Sequence, residues 1–517
     1  MRQGEFMKNA VIMTITAILL RTIGIFFRIY LSGCIGAQGM GLYQLIFSVY
    51  VLAATFASSG ISTAVARLIT DELVCGTKRS VKRILRRSIL LSVFIGAASA
   101  LLLFFTAEPI GAYIIKDVRA VPSLKVLGIS LPFMGTSSCL RGYFMARRKT
   151  VCPSAAQITE QLSRILFITL LLRLFSGRDV TYTCLAVISG DCAAEIVSCL
   201  FLSVGCLADR RALRALPTAP SCTPPRHGVL YRICAIAVPI TAGRYLGSAL
   251  RTVENILVPQ KLAAFSGSAT EGLSQFGMLK GMALPLLFFP SSFLSSLSTL
   301  LIPELSEAQT LRQKDKVSRA VTKALQLTLL ISILLGGLFT VFAYDLGEVL
   351  YHSRDVGFLL RVLAPLMPVM YLESIVDGML KGLNQQVSSL RYSVLDSVSR
   401  IVLILVLVPL RGMGGFLWIM VFSNFLTSGL NLHRLLRVTE VRLRVWQWIM
   451  KPLLSIALSV ALVALCGRVL PVYALPPLVK MLCGGCGICL IYAACTYLLG
   501  TWDKEQLHAL TVRRVHT

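Results

Sequence analysis

The sequence predicts an all-α polytopic membrane protein: about fourteen transmembrane helices, in two pseudo-symmetric six-helix lobes followed by two further helices. Three observations lead there. Of 517 residues, 56% are hydrophobic and only 15% charged, with a mean hydropathy of +0.75, more apolar side chain than a soluble domain can cover. The apolar residues fall in runs long enough to cross a hydrocarbon layer of ~30 Å. The runs also repeat, in one order, at a spacing of roughly 223 to 240 residues.

Taken in order, the first six spans lie near 10–32, 40–63, 84–106, 121–145, 153–175 and 181–206. The opening run is long, carries Arg21 and lacks a small-x-small cleavage site, so it reads as a span and not as a removable signal. Leu216 to Gly228, LPTAPSCTPPRHG, is rich in proline, which cannot continue a helix, and reads as a cytoplasmic linker. Six more spans follow near 229–252, 276–301, 320–343, 356–381, 387–410 and 414–434, then two near 447–468 and 475–499. The expected division is therefore 1–215, linker 216–228, 229–440, and 441–517 for the extra pair and tail. No long soluble domain is left over.

The repeat is read from matched polar positions. Arg21, Gly24 and Arg28 in the first span answer Arg244, Gly247 and Arg251 in the seventh. Ile61-Ser62-Thr63 answers Leu297-Ser298-Thr299, and Glu72 answers Glu307. Leu140-Arg141-Gly142 answers Leu380-Lys381-Gly382, and Glu160 with Arg164 answers Asp396 with Arg400. Six helices per unit preserve orientation, which implies an axis along the membrane normal and a substrate path between the halves.

A net charge of +27 is of the kind that nucleic-acid binders carry, but the basic residues sit in short loops between apolar runs, with no aromatic-basic binding motif. Placing the N-terminus inside puts roughly 33 Lys and Arg in cytoplasmic loops against about 12 outside, so both termini are expected in the cytoplasm. The fifteen cysteines lie mostly within apolar runs. Cys483, Cys486 and Cys489 have metal-like spacing but no His or acidic fourth ligand, so they read as packing residues and no metal site is expected. With no nucleophile elbow, HExxH motif or phosphate-gripping GK[ST] loop, the chain reads as a non-enzyme without ATP drive.

The chemistry that remains is intramembrane charge. Arg21 and Arg28 stand seven residues apart, on one helix stripe. With Arg244, Arg251 and Lys280 they would make a cationic lining suited to a pyrophosphate or other polyanionic head group, because guanidinium forks grip phosphate oxygens bidentately. Snorkelling or pairing with acids such as Glu254 is the structural alternative. Glu160 with Arg164, and Asp396 with Arg400, are i,i+4 ion pairs that would brace each lobe. Asp191 with Glu195, and Glu373 with Asp377, are like-charge i,i+4 pairs: a candidate H⁺ or Na⁺ coupling site, or ordinary solvated carboxylates if they sit at span ends.

The stretches KNAVIMTITAILLRTIGIFFRIYLSGCIGAQGMGLYQLIFSVY, RGYFMARRKTVCPSAAQITEQLSRI and GMALPLLFFPSSFLSSLSTLLIPELSEA resemble the polysaccharide-export flippases of the multidrug/oligosaccharidyl-lipid/polysaccharide superfamily. They look most like the stage V sporulation protein B branch, related to the lipid II flippases, and the likeness runs over almost the whole chain. It implies a twelve-helix bilobed core plus two helices, alternating access, and an undecaprenyl-diphosphate-linked saccharide or peptidoglycan precursor as the substrate. Arg21 matches that family's first-helix cavity arginine. The family's second arginine lies in the eighth helix, where this chain offers only Lys280, with Arg244 and Arg251 in the seventh. The expected partners are the polyprenyl-diphosphate lipid and membrane lipids, in a monomeric transporter without cofactor. Two rivals remain: a cation-coupled drug antiporter, which would need an acidic aromatic cleft, and a membrane glycosyl- or acyl-transferase, which would need a carboxylate or His site in a loop.

Overall fold

Two glycines break the longest helices. Gly36 (φ 69°) and Gly412 (φ 57°) lie where only a residue without Cβ is unstrained, so each breaks one continuous helical stretch into two, and in the second the two limbs fold back far enough for Ser423 to meet Asp396. The computed structural model describes residues 3–58, 60–75, 78–175, 179–214, 228–469 and 477–501, and the elements in these residues are all helical. They are α1 Gln3–Ser58, α2 Ile61–Cys75, α3 Lys78–Pro109, α4 Ala120–Ala146, α5 Val151–Leu174, α6 Val180–Arg214, α7 Val229–Ser266 and α8 Ala269–Phe276. Then come α9 Leu284–Phe288, α10 Ser291–Thr310, α11 Lys314–Val341, α12 Ala343–Tyr351, α13 Arg354–Leu363, α14 Met367–Gly382, α15 Gln386–Thr439, α16 Lys451–Val469 and α17 Pro477–Leu498.

Among the described residues, ten helical stretches are long and apolar enough to cross a membrane. Two of the ten, Ile12–Leu73 and Gln386–Thr439, each hold two of the spans expected from sequence. The expected spans at 121–145 and 276–301 are helical but fall outside the ten, so the count of fourteen is not reached by length and apolarity alone. For α4 the reason is physical. It is the central helix of its unit, packed on α1, α2, α3 and α6, and its Ser123, Ser130, Ser137 and Arg141 face neighbouring helices rather than lipid.

The chain divides into two compact units, Met1–Gly277 and Met278–Thr517. This boundary lies later than the linker at 216–228, of which 216–227 lie outside the described residues. The physical reason is that α7 and α8 run along α1 and α2. Thr252 donates to the Ser48 carbonyl at 3.0 Å, Asn255 donates to the Ser48 hydroxyl at 2.9 Å, and Arg232 pairs with Glu72 at 2.9 Å. A Cβ on Gly60 would lie 2.2 Å from the Ala237 carbonyl oxygen, so this seam depends on small residues.

In the second unit α14 packs on α10, α11 and α15, while α16 lies between α11 and α17. An apolar recess of about 320 Å³ opens between α11, α14 and α16, lined by Ile333, Thr340, Pro368, Leu453, Ile456 and Val460 among others.

The repeat is visible as matched contacts. Gly142 of α4 abuts the Ser62 carbonyl, and Gly382 of α14 abuts the Ile302 carbonyl, a spacing of 240 residues in both partners. Ser198 donates to Glu160 at 3.1 Å in the α5–α6 hairpin, and Ser423 donates to Asp396 at 2.6 Å in the hairpin of α15.

A polar network in the first unit as the candidate functional site

Three helices deliver opposite charges to one region of the first unit. Successive turns of α5 put Glu160 and Arg164 on one stripe, as the i,i+4 spacing dictates, and Arg164 Nη2 reaches Glu160 at 2.9 Å. The same guanidinium turns its Nε to Asp191 of α6, at 2.8 Å. Arg141 of α4 donates to the other Glu160 oxygen at 2.8 Å, and Tyr43 of α1 donates to Asp191 at 3.1 Å. Glu160 is thus held by three cationic or hydroxyl donors, Arg164, Arg141 and Ser198, and Asp191 by two, which is what an ionised carboxylate in a poor solvent requires. Glu195, one turn beyond Asp191, lies within electrostatic reach of Glu160, Arg141, Arg164 and Asp191 but makes no ion pair or hydrogen bond with the described residues.

The arginines of the expected cationic lining are all in this unit. Arg28 is half-buried on α1 and acts electrostatically on Tyr43, which brings it to the edge of the network. Arg21 on α1, and Arg244 and Arg251 on α7, are exposed. α7 meets α1 in the stretch after Gly36, at Ser48 and Thr55, whereas Arg21 and Arg28 precede that glycine. Lys280 belongs to the second unit, half-buried in a π-helical turn at Gly277–Ala283. Glu254 is buried on α7.

The other predicted acids fall elsewhere, in the second unit. Asp377 of α14 bonds Lys381 one turn on and Ser389 at the start of α15, a local clasp around the helix turn. Glu373 is half-buried one turn before Asp377 on α14. Asp396 is buried with Ser423, and Arg400 is half-buried one turn further on. Cys483 and Cys486 are exposed on α17 and Cys489 is partly so, all free thiols.

Sequence reasoning missed Tyr43, Arg141 and Ser198 as members of the network, although Arg141 was already marked by the repeat. It also missed a second knot. Asp209 near the end of α6 accepts from Tyr143 at 2.7 Å, from Arg147 at 3.1 Å and from Lys149, tying the α4–α5 turn to α6. Burial works against the charge on Arg147, but the Asp209 carboxylate outweighs it and raises that guanidinium's affinity for its proton.

The family model described as "Polysaccharide biosynthesis protein" matches residues 6–309. The chain belongs to the polysaccharide biosynthesis protein family. Among its relatives in Bacillus subtilis (strain 168), stage V sporulation protein B is 25% identical over 469 residues, covering 90% of this chain and 89% of that one. Lipid II flippase MurJ of the same organism is 22% identical over 436 residues, covering 79% and 77%. The fold is shared with transporters of known structure. A solved structure of lipid II flippase MurJ in an inward closed conformation superposes with a TM-score of 0.73 at 13% identity, over 95% of this chain and 98% of that one. An inward-facing multidrug resistance MATE family transporter of the MOP superfamily gives 0.64 at 13% identity, over 83% and 98%. The resemblance read from sequence is borne out at the level of family and fold.

Proposed function

We propose that this protein is a flippase that carries a polyprenyl-diphosphate-linked saccharide, an undecaprenyl-diphosphate peptidoglycan precursor or polysaccharide unit, across the cytoplasmic membrane by alternating access. The observation that carries the reading is that α1 and α7 of the first unit together bear Arg21, Arg28, Arg244 and Arg251, with Arg28 at the edge of the polar network. Arg28 and Arg251 form no ion pair with the described residues, so their guanidiniums remain available to phosphate oxygens. The relatives named stage V sporulation protein B and lipid II flippase support a substrate of this class, in cell-wall or spore-cortex assembly. The apolar recess of about 320 Å³ in the second unit offers room for a segment of a polyprenyl chain.

Proteoliposomes holding a fluorescent polyprenyl-diphosphate saccharide, with an impermeant quencher outside, test this. Protein-containing vesicles should expose the internal label far faster than empty ones. Arg28→Ala with Arg251→Ala should slow exposure at least about tenfold, the loss expected when charge-assisted bonds worth about 1.5–3 kcal/mol each are removed. Equal rates with and without protein would sink the flippase reading. A double variant as fast as wild type would move the binding site elsewhere.

A further inference from the structure

The two helical hairpins of the repeat stand in the same register, and that makes their differences readable. Lys149 meets Asp209 and Glu160 meets Ser198 in the first unit; Gln385 meets Arg434 and Asp396 meets Ser423 in the second. Both pairs give a spacing of 236 residues on the first helix (149 to 385, 160 to 396) and 225 on the second (209 to 434, 198 to 423). Gly190 and Gly415 correspond at the same 225. In this register Asp191 corresponds to Phe416 and Glu195 to Met420, which are 0% and 5% exposed core residues. The hairpin therefore closes without either carboxylate, and the first unit has placed two acids where the fold accepts apolar packing. Asp191 can be explained as a brace by its pair with Arg164, but a buried charge without an ion pair is a cost that bracing does not explain, and Glu195 is such a charge.

The two acids are not equivalent. Asp191 is committed to Arg164 and Tyr43. Glu195 has no such partner, and the groups facing it are known from every packed helix: Glu160 and Arg164 from α5, Arg141 from α4, Asp191, Cys192 and Cys199 from α6, and Tyr50 from α1. Unused donors lie in the same unit. Arg141 Nε and Gln44 Nε2 are buried without a hydrogen bond. Glu195 is only partly buried.

We propose that Glu195 is the proton-binding carboxyl of the first unit, and that its proton decides whether Arg141 stays on Glu160 or turns toward Glu195. The proton comes from water and returns to water, and only the carboxyl O–H bond forms and breaks. With Glu195 neutral, Arg141 rests on Glu160 as observed, at 2.8 Å. Three cations, Arg28, Arg141 and Arg164, then face two anions, Glu160 and Asp191, and the region carries a surplus positive charge. With Glu195 ionised, it competes for Arg141 and cancels the surplus. Proton binding would thus favour an anionic head group beside Arg28, a consequence that rests on the function proposed above; the proton site itself does not.

Infrared difference spectra of the full-length protein in lipid nanodiscs, taken between alkaline and acidic pH, read the site without any substrate. A carboxyl C=O band should appear on acidification, be absent in E195Q, and shift in frequency in E195D while persisting in D396N. An E195D band that has not moved overturns the proposal, as does an undiminished band in folded E195Q. A band assigned to Glu195 in a protein that flips no lipid-linked saccharide would uphold the proton site and dismiss the substrate reading.

Discussion

At the scale of single residues, the decisive group is Arg164. One guanidinium holds Glu160 at 2.9 Å and Asp191 at 2.8 Å, with its own side chain 26% exposed and the carboxylates 14% and 11%. Truncation leaves two carboxylates with reduced compensation in a poorly solvated place, the situation in which breaking a buried ion pair costs about 3 kcal/mol. Arg164→Met should therefore lower the thermal midpoint of the detergent-purified protein by several degrees. Arg251→Met, at an exposed position without an ion pair, should leave it within about a degree. Equal midpoints for the two variants would contradict the bridging role. The i,i+4 spacing announced Glu160–Arg164 in the sequence, since helix geometry alone puts those groups in reach. It could not announce Arg164–Asp191, because that contact depends on how far α5 and α6 slide past each other, and only packing fixes that. Asp191 and Glu195 looked like a pair because of their own spacing, yet Asp191 found its partner on another helix and Glu195 did not.

At the scale of helices, stability rests on backbone approach. A Cβ on Gly142 would sit 2.4 Å from the Ser62 carbonyl oxygen, inside any tolerable contact, whereas at the matching Gly382 it would sit 3.0 Å from the Ile302 oxygen. The first pair of helices cannot accept a methyl group without separating; the second must give by only a few tenths of an ångström. Gly142→Ala should cost about 1–3 kcal/mol, as overpacking does, and Gly382→Ala distinctly less. Thermal unfolding of the two single variants side by side checks the ordering, and a larger loss at Gly382 would refute it. The repeat containing both glycines was legible from the matched tripeptides Leu-Arg-Gly and Leu-Lys-Gly, because the same contact demands the same small residue in each half. The adherence of α7 to α1 and α2 was not legible. It is made by Ser48, Thr252, Asn255 and Gly60, polar or small residues with no periodic signature.

At the scale of the whole molecule, the spans and the fold family were readable because a bilayer imposes length and apolarity on every crossing helix. Helices such as α4, shielded by protein, escape that constraint and carry serines and an arginine instead. The same loops that set the net charge of +27 also set the direction of insertion. With the N-terminus inside, Lys116 after α3 and His352 after α12 lie outside, and Arg148 after α4 and Arg312 after α10 lie inside. All four occupy left-handed turn positions between helices, so a reporter joined there ends the chain at a natural corner. Alkaline phosphatase fused after Lys116 or His352 should be active and a fluorescent protein silent. Fusions after Arg148 or Arg312 should give the reverse. The inversion of all four would place the basic loops, including exposed Lys82, Arg83, Arg86 and Arg87 at the start of α3, on the outer side. Charge bias acts on each short loop separately, so a mixed pattern would locate the particular span whose crossing the loop charges do not govern.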